Sequence, residues 1–179
     1  YDYNPHGDCP MSTLSVDTIQ GKTTAGTVAM PAGMVVQTAF QTFNTQTVLS
    51  SDSDADVGGS SLSFTPKFAS SLLLLSYDLH VNLYRLSTDA QGGTINFVVD
   101  SVNISHSSQD YENYNLMPSS GTFNDYRRIH KEVSISATNT NTKTIKLTGR
   151  PFATGGSGQI IVNISNDFIS SMKVQEIAQ

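Results

Sequence analysis

The sequence has almost no cysteine and no tryptophan. A single cysteine, Cys9, is present among 179 residues, which excludes an intrachain disulfide framework and a cysteine-rich zinc site. No apolar run approaches the roughly 20 residues that a membrane-spanning helix needs, and no basic segment followed by an apolar stretch predicts a signal peptide. We therefore expect a chain without internal disulfide bonds that does not insert into a membrane.

Charged residues are also scarce. They make up 14% of the sequence, against about 25% in an average protein, and the net charge is −5. The ten Lys and Arg residues are scattered, so a groove that follows nucleic-acid phosphates is not expected. About a quarter of the chain is Ser or Thr, which suits strands and turns better than helix interiors.

Motifs of the familiar enzyme classes are absent as well. The chain contains no G-x-S-x-G nucleophile elbow, no phosphate-binding G-x-x-x-x-G-K and no dinucleotide-binding G-x-G-x-x-G. Asp110, Glu112 and Asp125 are candidates for a glycosidase carboxylate pair only because they share one polar stretch. We therefore expect no catalytic residues, no enzymatic activity and no cofactor. None of the four histidines is spaced from another as a metal ligand: His6, His80, His106 and His130.

The dominant positive signal is an alternation of apolar and polar residues. It is clearest from Leu73 to Leu83, where every second residue is apolar, as in a half-buried antiparallel strand. Seven shorter segments repeat the alternation between turns rich in Gly, Pro and Asn. The pattern predicts an all-β protein: an antiparallel, jelly-roll-like β-sandwich of about eight strands.

The beginning of the chain has a different composition. Residues 1–33 contain three prolines and four glycines and show little periodicity. We interpret residues 1–33 as an extended N-terminal anchoring arm and residues 34–179 as the sandwich domain. An isolated arm cannot bury enough apolar surface to become ordered, so we expect it to contact neighbouring chains.

A long polar stretch, residues 105–125, is expected to form a loop, and such loops are often functional. It contains Tyr111 and Tyr114 and leads into a Tyr-Arg-Arg sequence that ends with Arg127 and Arg128. Aromatic rings stack on sugars, and arginine forks bind carboxylates or phosphates. These four residues are the candidate binding site. The alternative is a loop that packs on a neighbouring subunit, with its arginines paired to nearby carboxylates.

An acidic run is the candidate metal site. Asp52, Asp54 and Asp56 alternate as at the start of an EF-hand loop, which then requires Gly at its sixth position and Glu at its twelfth. Val57 and Ser63 stand at those positions. We therefore expect a solvated acidic loop and assign no metal.

Several short motifs resemble a known family. Residues 14–21 (LSVDTIQG) and 31–37 (PAGMVVQ) resemble the opening of small virion proteins of marine and cyanobacterial phages, described as tail-fibre or fibre-like structural proteins. Residues 64–71 (FTPKFASS) and 174–178 (VQEIA) are similar to later motifs of that family. The family's middle motif reads ITPKSxSSKIL, and Leu72 here replaces its usual Lys. The resemblance covers residues 13–178.

The resemblance implies a homotrimeric β-sandwich knob on a virion surface, joined to other virion proteins by its arm. We expect a fibre or tail-fibre protein that mediates host attachment, with a surface glycan as a possible receptor. One alternative is a capsid decoration protein of the cement or head-fibre type. Another is a carbohydrate-binding module or glycan-active enzyme on the same fold, since fold alone does not define function.

Overall fold

The computed structural model describes residues 31–51, 53–85, 92–104, 123–151 and 158–179. Within these ranges the chain forms β-strands, and no helix there is long and apolar enough to cross a bilayer. The strands are β1 (Val35–Phe43), β2 (Thr47–Leu49), β3 (Ala55–Asp56), β4 (Leu62–Phe64), β5 (Leu72–Arg85), β6 (Gly93–Val99), β7 (Val102–Asn103), β8 (Phe123–Ser136), β9 (Lys143–Pro151), β10 (Gly158–Val162) and β11 (Ser170–Ile177).

The strands form two antiparallel sheets. In sheet A, β5 pairs with β8 on one side and with β10 and β11, placed end to end, on the other. Strands β2 and β1 lie beyond β10 and β11. In sheet B, β9 pairs with β6 and with the short strands β3 and β4, and β7 pairs with β6. The predicted antiparallel β-sandwich is confirmed.

The core lies between the sheets and follows the alternation seen in the sequence. The inward residues of β5 pack with those of β6 and β9 in one cluster of buried side chains. Tyr77 joins the sheets directly, because its ring lies 5.4 Å from that of Phe97 and its hydroxyl donates to the Ile95 carbonyl at 3.3 Å. The most deeply buried side chains include Leu73, Leu75, Leu79, Leu83, Ile95, Phe97, Ile145, Leu147 and Ile160.

The main difference from the sequence analysis concerns β8, which begins well before its apolar residues. The alternation indicates this strand only from Val133 onward, but its pairing with β5 continues back to Phe123. Backbone hydrogen bonds to a 14-residue partner extend the strand through polar sequence. Arg127 and Arg128, which we expected in a loop, therefore lie on a strand. The additional strands β2, β3 and β7 are too short to show a period.

Residues 31–179 form one compact unit. At its start, the Gly33 N–H donates to the Ala178 carbonyl at 2.8 Å, and the Ala178 N–H donates to the Met34 carbonyl at 2.9 Å. Gly33 has a φ of +84°, a left-handed conformation that glycine adopts without steric cost. The chain thus enters the sandwich beside its last strand. Residues 1–30 of the predicted arm lie outside the described residues.

Candidate functional site: the outer face of sheet A

The outer face of sheet A, called the A face below, presents exposed side chains of mixed chemistry. Successive side chains of a strand point to opposite sides, so the residues that alternate with the core of β5 point outward. Neighbouring strands add their own outward residues in register. The central members of the A face are Phe40, Ser76, Asp78, His80, Tyr126, Arg128, His130, Phe168, Ser171 and Lys173.

Three aromatic side chains of the A face are unusually exposed. Phe40 is 62% exposed, Tyr126 63% and Phe168 38%. Phe168 also lies beside His80, with 5.3 Å between the ring centroids. Single exposed apolar residues are normal, but several on one face are a feature of interaction surfaces.

A trough crosses the middle of the A face. Two cross-strand rows define it: Phe40 pairs with Lys173 in one, and Ser171 pairs with Asp78 in the other. Ser76 and Ser171 are the small side chains in these rows, and Phe40 on β1 and His130 on β8 lie on either side of them. The trough has a volume of about 180 Å³ and is lined by Phe40, Ser76, Tyr77, Asp78, His130, Ser171 and Lys173.

A smaller cleft lies further along the same face. Its volume is about 30 Å³, and its wall includes the His80 and Phe168 rings together with Tyr126. The cleft is too small for a ligand ring to enter, but its rim is aromatic. It therefore extends the exposed aromatic surface rather than forming a separate binding cavity.

The structure separates the two predicted binding arginines. Arg128 points outward on the A face, where its Nε lies 2.5 Å from Oδ1 of Asp78. This hydrogen bond and the negative charge of Asp78 raise the pKa of Arg128. Arg127 points to the opposite side of β8, where its Nη2 lies 2.5 Å from Oδ2 of Asp125. The other two predicted binding residues, Tyr111 and Tyr114, lie outside the described residues.

The acidic run lies beside cationic side chains of sheet B. Oδ1 of Asp56 is 2.7 Å from Nζ of Lys146, and Oδ1 of Asp54 is 3.6 Å from Nε of Arg150. Asp52 lies outside the described residues. Within the described ranges, no group of three or more His, Cys, Asp or Glu side chains is arranged to hold a metal ion.

A buried carboxylate that no sequence motif indicated, Glu176, lies in the last strand and is 0% exposed. It accepts hydrogen bonds from the backbone N–H groups of Lys67 and Phe68, from the Ser71 hydroxyl and from the Gln37 amide, at 2.7–2.9 Å. Burial raises the pKa of this carboxyl, but the four donors outweigh burial, and the net pKa is lowered. Glu176 is thus held as an anion by uncharged donors.

Two of the motifs that resemble phage virion proteins meet at Glu176. Residues 64–71 supply three of the donors, and residues 174–178 contain the carboxylate. These motifs therefore join a loop to the final strand and have a structural role. The alternation of apolar and polar residues in β11 could have indicated this burial. Glu176 follows Met172 and Val174 on the core side of the strand, where a charged group needs hydrogen-bond partners.

No family model matches the chain, and no curated protein matches it. Among solved structures, the chain is similar to dimeric latent PorU from Porphyromonas gingivalis, with a TM-score of 0.36 and 9% identity. The match covers 86% of this chain but 14% of the PorU chain. A likeness this weak carries no argument about function.

Proposed function

We propose that this chain is a non-enzymatic surface protein of a phage virion, of the fibre or knob type, and that it mediates host attachment. The motif resemblance over residues 13–178 supports the virion assignment. The attachment role rests on one observation, the three exposed aromatic side chains beside hydrogen-bonding groups on the A face. Aromatic residues are enriched at the centres of binding surfaces.

The scaffold under the A face favours binding because it is already ordered. Strand β5 pairs along its length with β8 and, on its other side, with β10 and β11. Side chains on such paired strands lose little backbone freedom when a ligand binds, which reduces the entropic cost of association. The Arg128 side chain is also restrained before binding, because its Nε donates a hydrogen bond to Asp78.

The end of the A face away from the exposed aromatic residues is apolar, and we propose that it mediates self-association. Val35, Ile177 and Leu72 lie in one cross-strand row, and Leu74 lies two residues further along β5. Val35 is 48% exposed. This apolar end lies beside Gly33, whose N–H donates to the carbonyl of Ala178, the residue after Ile177. A second copy of the chain is its proposed occupant, in a homotrimer that leaves the aromatic end of the A face free.

Immunogold electron microscopy tests the virion assignment. An antibody raised against this chain is applied to purified particles of the phage whose genome encodes it. Label at tail or fibre tips supports attachment. Label spread over the head supports capsid decoration instead and removes the receptor role. Particles without label, in a preparation where the antibody detects the purified chain, overturn the virion assignment.

A competition experiment tests the A face itself. The purified full chain, added to host cells before the phage, should reduce phage adsorption. The double variant Phe40→Ala with Tyr126→Ala should compete less well. Val102→Ala is the matched control, because Val102 is 61% exposed but lies on β7 of sheet B. Equal competition by both variants would contradict an attachment role for the A face.

A further inference from the structure

We infer that the trough between Phe40 and His130 binds one neutral sugar ring of a host surface glycan. The inference rests on the proposed attachment function and gives its ligand a chemical class. It differs from the sequence-based hypothesis, which placed receptor contacts in loops with Tyr111 and Tyr114.

The size and shape of the trough suit a single ring. Its volume of about 180 Å³ is below the roughly 300 Å³ at which pockets for drug-sized ligands begin. Ser76 is 5% exposed and forms a low floor, because a serine stands where its neighbours carry long side chains. The trough is a depression in the surface and not an enclosed cavity, so a ring within a longer glycan chain can reach it.

The two walls match the two sides of a pyranose. Phe40 supplies an apolar ring for the C–H face of a sugar, and it is 62% exposed, so it is accessible. Across the floor, Asp78 and His130 are register partners on β5 and β8. Among the described residues, Oδ2 of Asp78 accepts no hydrogen bond, whereas Oδ1 is taken by Arg128. Oδ2 is therefore the expected acceptor for a sugar hydroxyl.

The remaining groups complete a mixed donor and acceptor set. Lys173 donates from the Phe40 side, and the Ser171 hydroxyl both donates and accepts. Such a set can bind several hydroxyls of one ring at once, since each hydroxyl also donates and accepts.

The charge around the trough favours a neutral sugar. Two cations, Lys173 and Arg128, are balanced by two carboxylates, Asp78 and Glu132, of which Glu132 is the register partner of Ser76. A polyanionic glycan would meet the Asp78 carboxylate, which lines the trough, and like charges oppose binding. A neutral hexose meets no such repulsion.

The test begins with the purified full chain on an array of neutral hexose oligosaccharides built from glucose, galactose and mannose. Calorimetry then measures Kd for a soluble oligosaccharide that binds. We expect Phe40→Ala and the nearly isosteric Asp78→Asn each to weaken binding by about tenfold or more, since one lost stacking or hydrogen-bonding contact accounts for a factor of that order. Val102→Ala should leave Kd unchanged.

Several outcomes would overturn the inference. If the wild-type chain binds no neutral saccharide but the antibody labels fibre tips, the inference of a sugar ligand is wrong. The proposed attachment function is unaffected by that result. Unlabelled particles with specific, Phe40-dependent sugar binding would reject the virion role alone. If the folded Phe40→Ala and Asp78→Asn variants bind with Kd values within about twofold of wild type, the sugar binds at a site other than the trough. A fall in oligomer mass caused by Phe40→Ala would identify the trough as a subunit interface.

Discussion

Glu176 shows how a charged residue can stabilise the interior of this protein. A buried carboxylate without partners would cost several kcal/mol or become protonated. Here the donors come from β1, from the loop before β5 and from Ser71. Removal of the negative charge would leave the backbone N–H groups facing a poorer acceptor. The carboxylate therefore connects β11 to β1 and to the loop before β5.

We expect Glu176→Gln to lower the free energy of unfolding by about 2 kcal/mol at neutral pH, because charge-assisted hydrogen bonds are lost and an amide N–H₂ faces donors. The folded-state pKa of Glu176 is lowered. Its contribution is therefore present above the unfolded pKa of about 4.3 and is lost as pH falls through the lower folded value. Urea unfolding from pH 7 to pH 3 measures both effects.

Glu132→Gln is the control for that experiment, since Glu132 is exposed on β8. It should change stability by less than about 0.5 kcal/mol at any of these pH values. If Glu176→Gln is as stable as wild type at pH 7, the negative charge of Glu176 does not contribute to the free energy of unfolding.

A second residue-scale feature lies on sheet B, where buried polar atoms lack partners. Thr148 and Asn96 are register partners on β9 and β6, and Thr94 lies two residues from Asn96. These three residues are 4–7% exposed, and Thr94 Oγ1, Asn96 Oδ1 and Thr148 Oγ1 have no hydrogen-bond partner among the described residues. Buried polar groups are satisfied in most proteins, so we expect this cluster to reduce stability.

We therefore expect Thr148→Val to raise the free energy of unfolding by about 1 kcal/mol, because it removes a buried hydroxyl that makes no hydrogen bond. Valine keeps the β-branched shape that suits a strand. Thermal and urea unfolding measure the change. Thr144→Val, at an exposed position of the same strand, should have little effect. A loss of stability in Thr148→Val would show that this hydroxyl has a partner such as an ordered water.

At the scale of elements, the long edge strand β8 needs protection from association. Among the described residues it pairs with β5 alone, along 14 residues. Unpaired strand edges promote aggregation, and inward-pointing charges are one natural safeguard. Arg127 and Asp125 form an ion pair on the inward side of β8, and Lys131 on that side is 7% exposed. Arg127, which the sequence analysis predicted as a ligand contact, supplies one of these inward charges.

The double variant Asp125→Val with Arg127→Val should associate through the edge, because two β-branched apolar residues then replace the charged pair. Size-exclusion chromatography with light scattering should show a larger mass than wild type at matched concentration. Ser63→Val with Thr144→Val adds the same groups to two exposed register partners on sheet B and controls for general hydrophobicity. An unchanged mass in the first variant would show that other features protect the edge.

Strand prediction from this sequence succeeded where a strand has one apolar side and failed where it does not. β5 alternates from Leu75 to Leu83, and β11 does so from Met172 to Gln175. The first half of β8 carries Asp125 and Arg127 on its inward side, so no alternation of apolar residues marks it. The A face was also invisible to sequence reasoning, because Phe40, Lys173 and His130 meet only through strand pairing.

At the scale of the whole molecule, the A face divides into an apolar end and an aromatic end. The row that contains Val35 and Ile177 is separated from the Phe40–Lys173 row by about 14 Å along β11, at roughly 3.4 Å per residue. A trimer built through the apolar end would carry three copies of the trough, and linked weak sites raise the overall affinity for a repetitive glycan surface. Assembly and attachment are then separable properties of one sheet.

Val35→Ser with Ile177→Ser should therefore disrupt the proposed trimer without damaging the trough. The two side chains are register partners, so the variant removes one continuous part of the apolar end. Light scattering should show a shift from trimer to monomer, while Kd for a soluble saccharide that occupies one trough stays unchanged and adsorption to whole host cells weakens. Val102→Ser, on sheet B, should alter none of these measurements. A variant that keeps the trimer would place the subunit contact elsewhere, and a variant that loses single-site affinity would show that both ends of the A face belong to one site.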